Sequence, residues 1–137
     1  MRGWRRELIE AGAPVPEPLE GDWMASAGHV AGRRLAELRR QGADVTAVFL
    51  ANDQMALGLL NALSEEGVSV PGDISVVGFD DVPEAAYYTP PLTTVRQDFA
   101  ELGRRGDQLV LCRLRGEDLQ SEPVVPQLIV RRSTAPV

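Results

Sequence analysis

The sequence predicts an α/β fold: a mostly parallel sheet flanked by helices. Three observations carry that expectation. Val45–Ala51 and Ile74–Phe79 are short, continuous apolar runs, the pattern of strands covered on both faces in parallel sheets. Between them, Gln54–Glu66 repeats its apolar residues at helical spacing. Each run also ends in a polar pair, Asn52-Asp53 and Asp80-Asp81. In sheets of this kind small molecules bind just beyond the carboxyl ends of the strands.

The elements follow in order. Met1–Ala11 places Trp4, Leu8 and Ala11 on one helical face, and Gly12 stops it. An α/β domain seldom opens on a bare amphipathic helix, so the chain reads as an incomplete copy with upstream elements missing. Ala13–Asp22 is a Pro-rich connector with room for a short edge strand, and Trp23 sits in a weak strand. Gly28–Gly42 is a helix with Val30, Leu35 and Leu38 as its apolar stripe and four arginines facing water. Those arginines read as a solvated face more readily than as a phosphate site.

Asp53 can cap the helix Gln54–Glu66. Met55, Ala56, Leu57, Leu59, Leu60, Ala62 and Leu63 cover an arc of roughly 220°, where packing on one sheet needs little more than about 100°. A second copy of the chain is the simplest cover for the surplus. Pro71-Gly72-Asp73 turns into Ile74–Phe79. Asp81–Pro91, with Tyr87 and Tyr88, is an apolar connector, and Leu92–Val95 is a short strand. Asp98–Arg115 follows as a helix, Gly116–Glu122 as a turn, and Val124–Arg132 as the closing strand.

Composition narrows the chemistry. The 137 residues suit one domain, and the apolar runs are too short to span a membrane. With a single cysteine and no export signal, a disulfide framework is excluded and the cytoplasm is the expected compartment. A net charge of -6 argues against gripping a phosphate backbone. All 14 basic residues are arginine, which removes Schiff-base and phosphate-loop lysine chemistry. The one histidine, His29, has no partner at metal-ligand spacing, and there is neither a G-x-S-x-G elbow nor a glycine-rich phosphate loop. The chain offers binding groups without a catalytic set, a metal or a cofactor.

The polar pairs leave choices open. One of Asn52 and Asp53 caps the helix, and the other is either incidental or faces a ligand. Asp80 and Asp81 repel each other and face different ways, one into the cleft and one to a turn or solvent. A carboxylate accepts hydrogen bonds from two hydroxyls, as a sugar or polyol requires, and an amide beside it both donates and accepts. Trp23 is either a core tryptophan or a platform for the apolar face of a sugar ring.

VFLANDQMALGLLNAL, VPGDISVVGFDD and YTPPLTTVRQDFAELG, in that order, together with GDW and VVPQLIVRRST, resemble the effector-binding region of the lactose-repressor (LacI/GalR) transcription regulators. The resemblance spans essentially the whole chain. It implies a type I periplasmic-binding-protein fold, in which two α/β subdomains close on a small ligand. On it, Asn52 and Asp80 match residues that bond sugar hydroxyls, Trp23 a ring-stacking aromatic, and Gln97 a polar cleft residue at the subdomain crossover. Residues 96–116 would cross to the other subdomain. Met55, Leu57, Leu60, Tyr87 and Tyr88 match the family's dimer interface.

Two features of the family are missing from this sequence. Its helix-turn-helix is absent, so operator DNA would be reached only through a missing N-terminal domain. Its effector-binding arginine would fall before Met1. The reading is an effector-binding and dimerisation region, taking a sugar-like effector as a homodimer away from membranes. A sugar-binding transport protein shares the fold, but the missing signal peptide and the wide apolar helix face argue against it. An enzyme using Asp80 or Asp81 would need a second carboxylate about 5–9.5 Å away.

Overall fold

The computed structural model describes residues 2–118 and 122–136. Four strands form one sheet in the order β1 (Ala47–Phe49), β2 (Ser75–Asp80), β3 (Thr93–Arg96) and β4 (Gln127–Ile129). The first three are parallel, and β4 returns antiparallel to β3. The helices are α1 (Arg2–Glu10), α2 (Ala25–Arg40), α3 (Asp53–Glu65) and α4 (Phe99–Leu114), with a 3-10 turn at Pro83–Tyr87. The expected α/β architecture is therefore present.

The core lies between α3 and one face of the sheet. Leu59 and Leu63 of α3 are buried against Ile74, Val76 and Leu92, with Ala56 and Leu60 beside them. Behind α3 lies α2, and backbone approaches backbone there. A Cβ on Gly28 would collide with the Met55 carbonyl oxygen, and one on Gly58 with the Ala25 carbonyl oxygen. Glycines therefore form much of the buried face of α2, along with Gly32, Leu35 and Ala36. This corrects the expected stripe: Val30 is 68% exposed, because α2 meets α3 through small residues rather than through Val30.

The same packing explains the wide apolar arc of α3. One side meets the sheet and the other meets α2, so Met55 and Leu60 are buried within this chain. Both residues, matched above to a dimer interface, are core residues of this chain. Leu57 and Tyr87 remain exposed at 45% and 86%, and Tyr88 packs against the core cluster.

The expectation that helices cover both faces of the sheet is met on one face only. Pairing and alternation place Phe49, Val77, Phe79, Val95 and Leu128 together on the opposite face. There Phe49 and Leu128 are 51% and 60% exposed, and neither α1 nor α4 buries a residue. Phe49 meets Phe79 edge-on, with ring centroids 6.4 Å apart.

Several boundaries differ. No strand forms in residues 13–22, and Trp23 lies in a bend at φ 73° rather than in a strand. The helix expected from Gly28 begins at Ala25, and Asp98 caps α4, its carboxylate accepting from Glu101 N–H at 2.9 Å. The last strand is shorter than expected, although Ser133 still donates its hydroxyl to the Val76 carbonyl. The turn expected over Gly116–Glu122 lies partly outside the described residues.

Candidate functional site

The parallel strands deliver their polar residues to one edge of the sheet. The register pairs Phe49, the last residue of β1, with Val77; Asn52 follows three residues after β1, and Asp80 ends β2. Asp80 in turn pairs with Arg96, directly before Gln97. Three of the four expected contact residues thus stand at adjacent strand ends.

The fourth, Trp23, is brought in by Asn52. Its Nδ2 donates to the Trp23 carbonyl oxygen at 3.0 Å, and its Oδ1 accepts from Met55 N–H at 2.8 Å. Asn52 is thus the N-cap of α3, which corrects the assignment of that cap to Asp53. A side-chain amide can make four hydrogen bonds, so one donor hydrogen and one acceptor position remain beyond these two. The Trp23 side chain is not core: the residue is 64% exposed.

Asp53 cannot cap because it points into the protein. Its carboxylate is fully buried, accepting from Thr94 Oγ1 at 2.6 Å and from Val82 N–H at 2.9 Å. Gly78 makes room for it, since a Cβ there would strike Asp53 Oδ1. Burial pushes the Asp53 carboxyl above its ordinary value, against the pull of the Thr94 and Val82 hydrogen bonds. Burial likewise raises the Tyr88 phenol, helped by the negative charges of Asp53 and Glu84.

Asp80 and Asp81 do face different partners. Asp80 Oδ1 accepts from Gln97 Nε2 at 2.9 Å. Asp81 is held by two arginines, with Arg96 Nε on Oδ2 and Arg131 Nη2 on Oδ1, each at 2.6 Å. Burial alone would raise the Asp81 carboxyl, but the Arg131 and Arg96 hydrogen bonds outweigh it and leave the group below its ordinary value. Trp23, Asp80 and Asp81 (φ 73°, 108° and 57°) are the non-glycine residues with positive φ among the described residues. Such backbone states are costly and persist only where the surroundings over-determine them. All three lie at this edge of the chain's fold.

Thr94, Arg96 and Arg131 were not singled out from the sequence. A signal for the arginines was present: two adjacent carboxylates require cations, and arginines end β3 (Arg96) and follow β4 (Arg131). Elsewhere, His29 Nε2 meets Glu65 Oε2 at 2.9 Å and ties α2 to α3. A groove of about 540 Å³ between the connector and α2, lined by Leu19, Glu20, Val30 and Arg34 among others, involves none of the strand-end residues. No described helix is long and apolar enough to cross a membrane.

Known proteins resemble this arrangement throughout. The periplasmic binding protein-like domain family matches residues 1–134. The lactose operon repressor of Escherichia coli (strain K12) is 37% identical over 134 residues, covering 98% of this chain and 36% of that protein. The HTH-type transcriptional repressor PurR of Escherichia fergusonii is 40% identical over 139 residues, covering 98% of this chain and 40% of that protein. The lac repressor dimer bound to operator and the anti-inducer ONPF superposes with a TM-score of 0.82 at 36% identity, over 97% of this chain and 46% of that one. A complex of the transcriptional regulator CelR with cellobiose gives 0.82 at 37% identity, over 96% of this chain and 41% of that one. The chain spans 36–46% of the length of these relatives. It belongs to the periplasmic binding protein-like domain family and, within it, corresponds to the C-terminal region of a lactose-repressor-type regulator.

Proposed function

We propose that this chain is the effector-binding and dimerisation part of a bacterial transcriptional repressor of carbohydrate genes, with a sugar-like molecule as effector. The observation that carries the reading is the row Asn52, Asp80 and Gln97 at three neighbouring strand ends, with Trp23 tied to Asn52. An amide with spare donor and acceptor capacity, a carboxylate and a second amide suit the hydroxyls of a sugar, and an exposed indole suits its apolar face. The complex of CelR with cellobiose is consistent with that ligand class.

Residues 96–116 would cross into a second subdomain. In support, α4 buries no residue and the chain then returns as β4 beside β3. Leu57 and Tyr87, exposed here, together with Tyr88, would meet a second copy; that lac repressor structures are dimers is consistent with such an assembly. With a net charge of -6, this region would leave operator DNA to a separate N-terminal domain in a cytoplasmic protein. No catalytic role is assigned to Asp81, whose carboxylate is held by two arginines.

The effector acts by binding one conformation better than another, and it shifts the equilibrium by that difference alone. A gel-shift assay of the full-length protein on its own upstream DNA tests this. Retention of the DNA and its release by one member of a sugar panel are expected. DNA binding indifferent to every sugar would contradict the assignment.

A further inference from the structure

The strained turn at the end of β2 needs something to hold it. Asp80 and Asp81 take positive φ in succession, at 108° and 57°, without a glycine between them. The Asp81 side chain is only 5% exposed and both its oxygens are engaged, Oδ2 by Arg96 and Oδ1 by Arg131. Arg131 is itself fixed, its Nη1 donating to the Leu92 carbonyl at 2.8 Å and its N–H to Thr93 Oγ1 at 2.9 Å. On the other side of the turn, Val82 N–H is held by Asp53.

We infer that Asp81, clamped by Arg96 and Arg131, is the positioning residue of the effector site: it fixes the strained turn that aims Asp80 at Gln97. The inference rests on the reading of Asp80 and Gln97 as effector contacts. Two relationships carry it. Arg96 immediately precedes Gln97, so the arm that grips Asp81 also sets the residue whose Nε2 reaches Asp80 Oδ1 at 2.9 Å. Arg96 also stands where β3 ends, whereas Arg131 lies just past β4, beside Leu92 and Thr93 at the start of β3. One carboxylate therefore ties the binding turn to the end of β3 through Arg96 and, through Arg131, to the start of β3 and the chain that follows β4. An exposed ion pair would do little to order these groups, whereas a buried carboxylate with both oxygens bonded fixes direction as well as charge.

Asp81→Asn in the full-length protein tests the clamp, since it keeps the side chain's size and removes the charge and one acceptor. The first readout needs no ligand: a crystal structure in which Asp80 leaves positive φ and its contact with Gln97 opens is expected. Retention of both, with only a lowered Tm, would overturn the inference. The second readout is calorimetry with cellobiose and a panel of related sugars. Affinity should fall about tenfold or more, as loss of a charged hydrogen bond entails, and adding Asp81→Asn to Asp80→Ala should cost nothing further. A further loss in the double variant would contradict a role exercised through Asp80. Loss of the turn geometry with unchanged affinity would uphold the positioning role and refute the placement of the site. Should Asp81→Asn fail to fold, Arg96→Gln removes one arm while Arg131 still balances the charge, and the same outcomes decide.

Discussion

Asn52 is bonded to Trp23 across 29 positions of sequence, its Nδ2 donating to the Trp23 carbonyl at 3.0 Å while its Oδ1 caps α3. One side chain therefore starts the central helix and anchors the loop that presents the indole. Asn52→Ala should lose the cap, about 1 kcal/mol, and the loop bond as well. Asn52→Asp loses the donor to the Trp23 carbonyl but keeps the oxygen that accepts from Met55 N–H, and because the cap is retained it should lose less than alanine. Urea unfolding measures both, and an equal or greater loss in the aspartate variant would refute the division of labour.

Asp53 and Asp81 should give stability opposite dependences on pH. The folded value of Asp53 is raised above 3.8, so its contribution is full below that value and is lost as pH rises through the raised one. The folded value of Asp81 is lowered, so its contribution is full above 3.8 and is lost as pH falls through the lowered one. Relative to Asp53→Asn, the wild type should weaken as pH rises from 3.8. Relative to Asp81→Asn, it should weaken as pH falls below 3.8. Denaturation midpoints over a pH series check the two signs, and parallel trends in both comparisons would be inconsistent with them.

The contact between α2 and α3 depends on absent side chains. Gly58→Ala would drive a methyl group into the Ala25 carbonyl, and rigid backbone has little room to give. A loss of about 1–3 kcal/mol, the usual cost of overpacking, is expected. Gly106→Ala on α4 meets open space and should gain about 0.5–1 kcal/mol. Thermal melts of the two variants should move in opposite directions.

Leu57 and Leu60 lie three residues apart on α3 and separate two roles. Leu60→Ala should cost about 2–5 kcal/mol of stability, since the residue is 4% exposed within the core. Leu57→Glu, at a position 45% exposed, should leave the fold intact and weaken self-association of the full-length protein. Sedimentation and melting measured together would sort them, and unchanged association in Leu57→Glu would remove that face of α3 from the dimer contact.

Much of this was legible from the sequence because period and punctuation carried it. The order of strands and helices follows from apolar runs and glycine stops, and the strand-end pairs mark the edge where Asn52, Asp80 and Gln97 gather. What was not legible depended on tertiary contacts. The cap on α3 passed to Asn52 because Asp53 found better acceptor duty beneath Gly78, facing Thr94 and Val82. Met55 and Leu60 looked like surplus apolar surface because the sequence does not reveal that α2 lies against α3 through glycines. Arg96 and Arg131 are 35 positions apart, and only the antiparallel return of β4 brings both to Asp81.

The central claim is that the ends of β1 and β2 bind the effector through Asn52 and Asp80. The most direct measurement is calorimetric titration of the full-length protein with a sugar panel that includes cellobiose, repeated with Asn52→Ala and Asp80→Ala. Saturable binding of at least one sugar is expected, weakened about tenfold or more in each variant, with the far-ultraviolet circular dichroism of a folded protein retained. Undiminished affinity in both folded variants would contradict it.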